Sequence, residues 1–282
     1  MIGWHMNVVT RKALALVRSC HPIPCLAVSL FVGLFAVGSG IPIMRGMEIA
    51  SAVLLQQISV GLSNDWLDQK RDLLAGRTDK PSFGGLVTPA ELRFGSLTAA
   101  ILAEAAAFAL GFSAGMLMVL MLAIGWAYNL GMKSNWSSAI PYALGFGTLP
   151  VFAGLAAETP FWPPVWLVSV AALLGVSAHF ANALPDMMDD KLTGVNALPH
   201  ILGQRVSAVV IAVTAMLATV LVVTLSKALE PLVAVIGLVA TALLVGFASG
   251  LSLKTNPPRV VFYLLVAASL VNVVLLVLGS GR

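Results

Sequence analysis

The feature that most restricts this chain is a succession of apolar windows, each about twenty residues long, separated by short polar breaks. They fall near residues 22–44, 46–67, 91–112, 114–131, 137–156, 163–185, 206–226, 231–251 and 259–279. A transmembrane helix needs roughly 20 apolar residues to cross about 30 Å of hydrocarbon, so the sequence predicts an all-α, polytopic membrane protein with nine transmembrane helices. Composition agrees: 10% of the 282 residues are charged, whereas a soluble domain carries about 25%. No window is polar enough to be a soluble domain or long linker, and residues 1–282 read as one membrane domain.

The basic residues set the expected orientation. Alternating sides across nine spans, Arg11, Lys12, Arg18, Lys70, Arg71, Arg77, Lys80, Arg93, Lys133, Lys191, Arg205, Lys254 and Arg259 share the N-terminal side, leaving Arg45, Lys227 and Arg282 opposite. That split of 13 to 3 is the asymmetry expected of a cytoplasmic N-terminus and an outward C-terminus in the cell membrane. The segment around Arg11, Lys12 and Arg18 reads as a signal-anchor or an amphipathic lead-in helix. Cys20 and Cys25 are too few and too close for a disulfide framework and read as packing residues.

Two stretches, offset by 118 residues, repeat each other: NDWLDQKRDLLAG (64–76) and NALPDMMDDKLTG (182–194). In their shared frame Asn64, Asp68, Asp72, Leu74 and Gly76 answer to Asn182, Asp186, Asp190, Leu192 and Gly194. They end the second and sixth windows, which run in the same direction, so both acidic clusters are expected on the cytoplasmic side. Steps of three and four place Asn64, Asp65, Asp68 and Asp72 along one helical face. Gln57 and Gly61 continue that face inward, as His179 does below Asn182. Polar groups at such depth usually face a cavity; interhelical hydrogen bonding is the other role open to Gln57 and His179.

Carboxylates one turn apart repel, so a cation is expected among them. Lys70 and Arg71 read as pointing elsewhere, and a hard divalent ion is the better account. Mg²⁺ takes oxygen ligands and is typically held by one or two carboxylates together with substrate phosphates. Arg77 and Lys80, in the short Gly/Pro-punctuated segment that follows, suit phosphate oxygens, although cytoplasmic topology alone also accounts for basic residues there. The combination points to a lipid ending in diphosphate, and no nucleic-acid partner is expected.

With Asn64-Asp65-x2-Asp68-x3-Asp72 and Asp186-x3-Asp190 at the ends of the second and sixth windows, the chain resembles the UbiA superfamily of intramembrane prenyltransferases. The resemblance implies nine transmembrane helices around a central cavity, capped on the cytoplasmic side by the Asp-rich helix ends and loops. It implies catalytic roles for Asp65, Asp68, Asp72, Asp186 and Asp190 as ligands of two Mg²⁺ ions, and diphosphate contacts for Asn64, Arg77 and Lys80. Relatives often place a tyrosine and a lysine as YxxxK near the end of the fourth window, which implies catalytic roles for Tyr128 and Lys133 in stabilising the departing diphosphate; here they are one residue further apart, and an interfacial tyrosine and a cytoplasmic-side lysine are the other reading. Gln57, His179 and Asn182 are candidates for contact with the acceptor or the isoprenoid chain, and His179 for the base. Arg18 and His21 resemble a segment that opens many relatives, which leaves a place near the cavity open to them, though interfacial anchoring is the simpler reading. Asp189 lies off the shared frame.

The activity implied is Mg²⁺-dependent transfer of an isoprenyl group from a prenyl diphosphate to a lipophilic, most often aromatic, acceptor within the membrane, releasing diphosphate. Terpene cyclisation by the same fold uses the same ionisation and stays open. A cation transporter is the rival from another class; Glu104, deep in the third window, suits it. Against it, the aspartates sit at helix ends rather than at the midplane, and the repeat is parallel rather than inverted. The stretch that CDP-alcohol phosphotransferases need before their aspartates is missing.

Overall fold

The computed structural model describes residues 7–74, 85–185, 187, 195–226 and 228–279. Among these residues it has ten α-helices and no strand: α1 (Val8–Ser19), α2 (Pro22–Gly38), α3 (Ile43–Leu74), α4 (Pro89–Leu110), α5 (Phe112–Leu130), α6 (Ala139–Leu155), α7 (Val165–Ala183), α8 (Leu198–Leu225), α9 (Pro231–Ser252) and α10 (Val260–Leu278). Two 3₁₀ turns, Met132–Ser134 and Trp136–Ser138, join α5 to α6.

Seven helices, α4 to α10, are long and apolar enough to cross a membrane, with α6 counted from Trp136. The α1–α2 pair, bent by 58°, makes an eighth if it is one broken span. The window expected at 46–67 becomes the 32-residue α3; its Gln56, Gln57, Asn64 and charged ends dilute its apolar character. Large apolar side chains such as Ile101 on α4, Val209 on α8 and Phe247 on α9 are exposed, which is costly in water and expected against lipid tails. The chain is thus a multi-pass membrane protein.

Local signals fix the ends of several helices. Thr88 caps α4 by accepting the Glu91 N–H while Glu91 accepts the Thr88 N–H, with Pro89 in the first turn, a reciprocal arrangement that satisfies two otherwise orphaned donors. Lys12 of α1 pairs with Glu91, tying the lead-in helix to α4. The window expected at 206–226 starts eight residues earlier as a helix, because α8 is broken at Gly203 (φ 78°) and its first turns, with His200, lie on the other side of that break.

Helices approach closely where side chains are small, the usual basis of packing in lipid, where burial alone drives no association. On α4, Ala99, Ala103 and Ala107 are buried, and Ser96 Oγ donates to the Ser59 carbonyl of α3 at 2.8 Å. Between α6 and α7, a Cβ on Gly175 would sit 2.6 Å from the Tyr142 oxygen. At the end of the bundle far from the aspartates, Arg45 donates Nε to Ala156 O (2.7 Å) and Nη2 to Leu110 O (2.6 Å), and meets Glu48 at 3.0 Å. It gathers the C-terminal carbonyls of α4 and α6, where a cation also complements the helix dipoles.

Candidate active site

Because successive helices alternate in direction, the C-terminal ends of α3, α5 and α7 meet the N-terminal ends of α2, α6, α8 and α10 at one end of the bundle. They enclose a cavity of about 720 Å³. Asp65, Asp68 and Asp72 line it from α3, and Asn182, at the end of α7, lines it too. The described start of the second repeat, with Asn182, Ala183 and Pro185, therefore lines the same space as the first repeat. Asp186 and Asp190 of the second motif, Asp189, and the loop cations Arg77 and Lys80 lie outside the described residues.

All three α3 carboxylates are buried, at 1%, 7% and 7% exposure for Asp65, Asp68 and Asp72. Buried charges demand partners. Asp68 Oδ1 accepts from Lys133 Nζ at 2.5 Å, and its Oδ2 accepts from Arg71 Nη2 at 2.9 Å. Lys133 is itself buried, on the 3₁₀ turn after α5, so the longer spacing from Tyr128 still delivers its ammonium to the acidic face. Arg71 corrects the sequence reading: rather than pointing elsewhere, it lines the cavity and folds back one turn onto Asp68, as residues three apart on a helix can. Lys70 is exposed, as expected.

His21 is the second correction. Instead of anchoring an interface it lines the cavity, with Nε2 3.2 Å from Asp65 Oδ1. It occupies the break between α1 and α2 in a left-handed conformation (φ 54°), uncommon for a non-glycine residue. Gly61 of α3 permits this crossing: a Cβ there would lie 2.4 Å from the Cys20 carbonyl oxygen. Cys20 and Cys25 are buried and unpaired, as expected of packing residues.

Deeper down, Asn64 donates to Asn129 Oδ1 at 3.0 Å, and Asn129 Nδ2 lies 2.8 Å from Val60 O and 2.7 Å from Ser63 Oγ. Asn129 was missed in the sequence because an asparagine between Tyr128 and Lys133 carries no signal of its own. Gln57 lines the cavity and donates to Gln56 Oε1 at 2.8 Å. Tyr128, Tyr142 and His179 form an aromatic cluster on the wall, with ring centroids 5.2 Å apart for the tyrosines and 4.8 Å for Tyr142 and His179. Glu104 does not line the cavity.

His179 is buried, with Nε2 3.0 Å from Ser138 Oγ and Nδ1 without a hydrogen-bond partner. Ser138 Oγ already accepts the Leu198 N–H at 2.9 Å. With the serine hydroxyl donating to Nε2 the ring proton stands on Nδ1; with Nε2 donating to the serine, Nδ1 is the acceptor.

The α3 carboxylates are hard oxygen donors facing a cavity, the chemistry Mg²⁺ prefers. Among the described residues no three His, Cys, Asp or Glu side chains stand close enough to hold a metal by themselves.

Comparison with known proteins agrees with this geometry. The chain is 28% identical over 193 residues to the bacteriochlorophyll synthase 33 kDa chain of Cereibacter sphaeroides, the aligned stretch covering 65% of this chain and 62% of that one. The fold matches an apo UbiA homologue from Aeropyrum pernix K1 with a TM-score of 0.74 at 19% identity, over 88% of this chain and 94% of that one. It matches a UbiA homologue from Archaeoglobus fulgidus, solved with GPP and Mg²⁺, with a TM-score of 0.73 at 16% identity, over 94% and 99% of the two chains. The family model of the UbiA prenyltransferases matches residues 23–270, the span that holds the cavity lining from Ile23 to Ser269, and the chain belongs to that family.

Proposed function

We propose that the protein transfers an isoprenyl group from a prenyl diphosphate to a lipophilic acceptor inside the membrane, releasing diphosphate and a proton. The observation that carries this reading is the row of three buried carboxylates at the mouth of a large cavity, with Lys133 and Arg71 already at Asp68. Asp65, Asp68 and Asp72, with Asp186 and Asp190 of the second motif, would hold Mg²⁺. When bound, the metal would neutralise diphosphate charge and stabilise the leaving oxygen. Lys133 and Arg71, aided by Arg77 and Lys80, would bind the diphosphate oxygens and stabilise them as the allylic C–O bond breaks. Below them Phe31, Phe146 and Leu149 would keep water from the allylic cation until the acceptor captures it. Tyr128 and Tyr142 line the same cavity, where an aromatic π-system would suit a developing positive charge.

The same reading sets the topology. Adding α3 and α2 to the seven apolar helices gives nine spans, with the aspartates cytoplasmic under the positive-inside rule. At 1.5 Å per residue α3 is about 48 Å long, longer than the roughly 30 Å hydrocarbon core, so its last turns with Asp68 and Asp72 would emerge at the interface. We propose the cell membrane, N-terminus inside.

The test is product analysis. Purified protein is offered labelled prenyl diphosphates with a panel of acceptors, and the lipids are read by mass spectrometry. Kinship with a bacteriochlorophyll synthase chain puts a chlorophyll-type macrocycle first in the panel, followed by aromatic acids and phenols. Diphosphate release that requires Mg²⁺ and vanishes in Asp68→Ala is expected. Metal flux into proteoliposomes that survives Asp68→Ala, with no turnover of any prenyl diphosphate, would establish a transporter instead.

A further inference from the structure

Helix α1 separates its polar and apolar residues more sharply than any later helix. With 3.6 residues per turn, Val9, Ala13 and Val17 fall in one row at steps of four, with Leu14 and Leu16 on either side of it. Arg11 and Arg18, seven residues apart, form a second row beside Leu14, about 10 Å apart along the axis. The remaining side, with Ala15 and Ser19, is buried against the bundle. The apolar row is not: Val9 and Val17 are 76% and 53% exposed. The helix carries its own N-cap, Asn7 Oδ1 accepting the Thr10 N–H at 2.8 Å, so it does not depend on a cover for its first turn.

Charge and position say what covers this face. Helix α1 has three cations and no acid. Lys12 is taken up by Glu91 of α4. Arg11 and Arg18 are exposed, and among the described residues neither guanidinium has an ion-pair or hydrogen-bond partner. The helix enters α2 at the aspartate end of the bundle through a break of 58°, which turns it away from the direction in which α2 runs. An apolar row flanked by arginines, on a helix inclined at the edge of the bundle, suits the boundary between acyl chains and headgroups. Two uncompensated cations favour headgroups of net negative charge, since a zwitterionic headgroup offers its phosphate only together with an ammonium. We propose that α1 is an interfacial helix that docks on anionic phospholipid at the aspartate end, with Val9, Ala13 and Val17 at the acyl boundary and Arg11 and Arg18 on headgroup phosphates. The helix ends where His21 meets Asp65 and Cys20 packs on Gly61, so the lipid surface that seats α1 also seats one wall of the cavity.

The test is hydrogen exchange of the full-length protein in nanodiscs, read on the amides of residues 8–19. Discs of neutral phosphatidylcholine are compared with discs in which about a third of the lipid is anionic phosphatidylglycerol, and the amides of α4 and α8 report that the fold is intact. At about fivefold for each arginine near an anionic surface, exchange in α1 should be roughly 25-fold slower in the anionic discs. Arg18 also lines the cavity, so the variant is Arg11→Gln, which should reduce that ratio to about fivefold. Lys254→Gln, which removes an exposed cation after α9, should leave the ratio unchanged. Val17→Gln should speed exchange in both kinds of disc alike, and glycerol phosphate added to neutral discs should not slow it. Equal exchange in the two kinds of disc would give the face to apolar lipid or to a second copy and overturn the proposal. So would a ratio that Lys254→Gln lowers as much as Arg11→Gln, which would mean that net charge and not this helix draws the lipid, or slowing by glycerol phosphate, which would mean a site for the free anion.

Discussion

Replacing Lys133 by Met should make the protein bind a divalent cation more tightly while making it a poorer enzyme. Lys133 Nζ sits 2.5 Å from Asp68 Oδ1, and both side chains are only 9% exposed. At that separation the Coulomb attraction is about 7 kcal/mol for an effective dielectric constant near 20. Desolvation of the two charges returns most of this, and Arg71 remains as a second partner, though 30% exposed. A net competition of roughly 1.4–2.8 kcal/mol is left, which is ten- to a hundredfold in affinity. Mn²⁺, titrated into diphosphate-free protein and followed by the EPR signal of the free ion, should therefore bind about 10- to 100-fold more tightly to Lys133→Met than to wild type. Asp68→Asn should weaken binding in either background. The same Lys133→Met protein should need more prenyl diphosphate to saturate, because the ammonium that would meet the phosphate oxygens is gone. Met keeps the length of the side chain, so thermal unfolding should move by a few degrees at most. Equal or weaker Mn²⁺ binding by a folded Lys133→Met protein would refute the claim that this lysine occupies the place of a metal on Asp68.

His179→Phe keeps an aromatic ring and removes both ring nitrogens, and should lower kcat/KM for the acceptor about tenfold while leaving donor KM within about twofold; a fall in both together would make the residue purely structural. Arg45→Met removes two charge-assisted hydrogen bonds to the ends of α4 and α6 and should cost about 2–4 kcal/mol of stability, seen as a lower thermal midpoint with donor KM unchanged. Gly61→Ala forces a Cβ against the Cys20 carbonyl and should cost about 1–3 kcal/mol. Because it displaces the α1–α2 break that holds His21 at Asp65, Gly61→Ala should also raise Mn²⁺ affinity by freeing that carboxylate, which a mutation felt only in distant packing would leave alone.

What was legible in the sequence is what local periodicity encodes. Asn64, Asp65, Asp68 and Asp72 lie on one face because steps of three and four always do, and the parallel repeat brought α3 and α7 to the same end because their directions match. Contacts across long separations were not legible: His21 reaches Asp65 over 44 residues and Lys133 reaches Asp68 over 65, and nothing local tells which carboxylate either of them meets. Arg71 is different, since its three-residue step from Asp68 was itself a signal; treating the pair as differently directed neglected the reach of the guanidinium.

The apolar half of the site was hidden for a more general reason. In a soluble helix, an apolar stripe marks the buried face, because the opposite face must be polar. In a membrane helix both faces are apolar, so Phe31 on the cavity wall and Phe247 on the exposed surface of α9 are the same kind of residue in the same kind of run. Hydropathy can count such helices but cannot turn them about their axes. Only the few costly polar groups do that, and they do so near the aspartates, where they are dense. Further into the bundle they thin out to Ser269 and Asn272, both on α10. The far wall of the site is consequently built from side chains whose sequence signature is indistinguishable from lipid contact, and it becomes readable only when Phe31, Phe146 and Leu149 are seen together on one cavity.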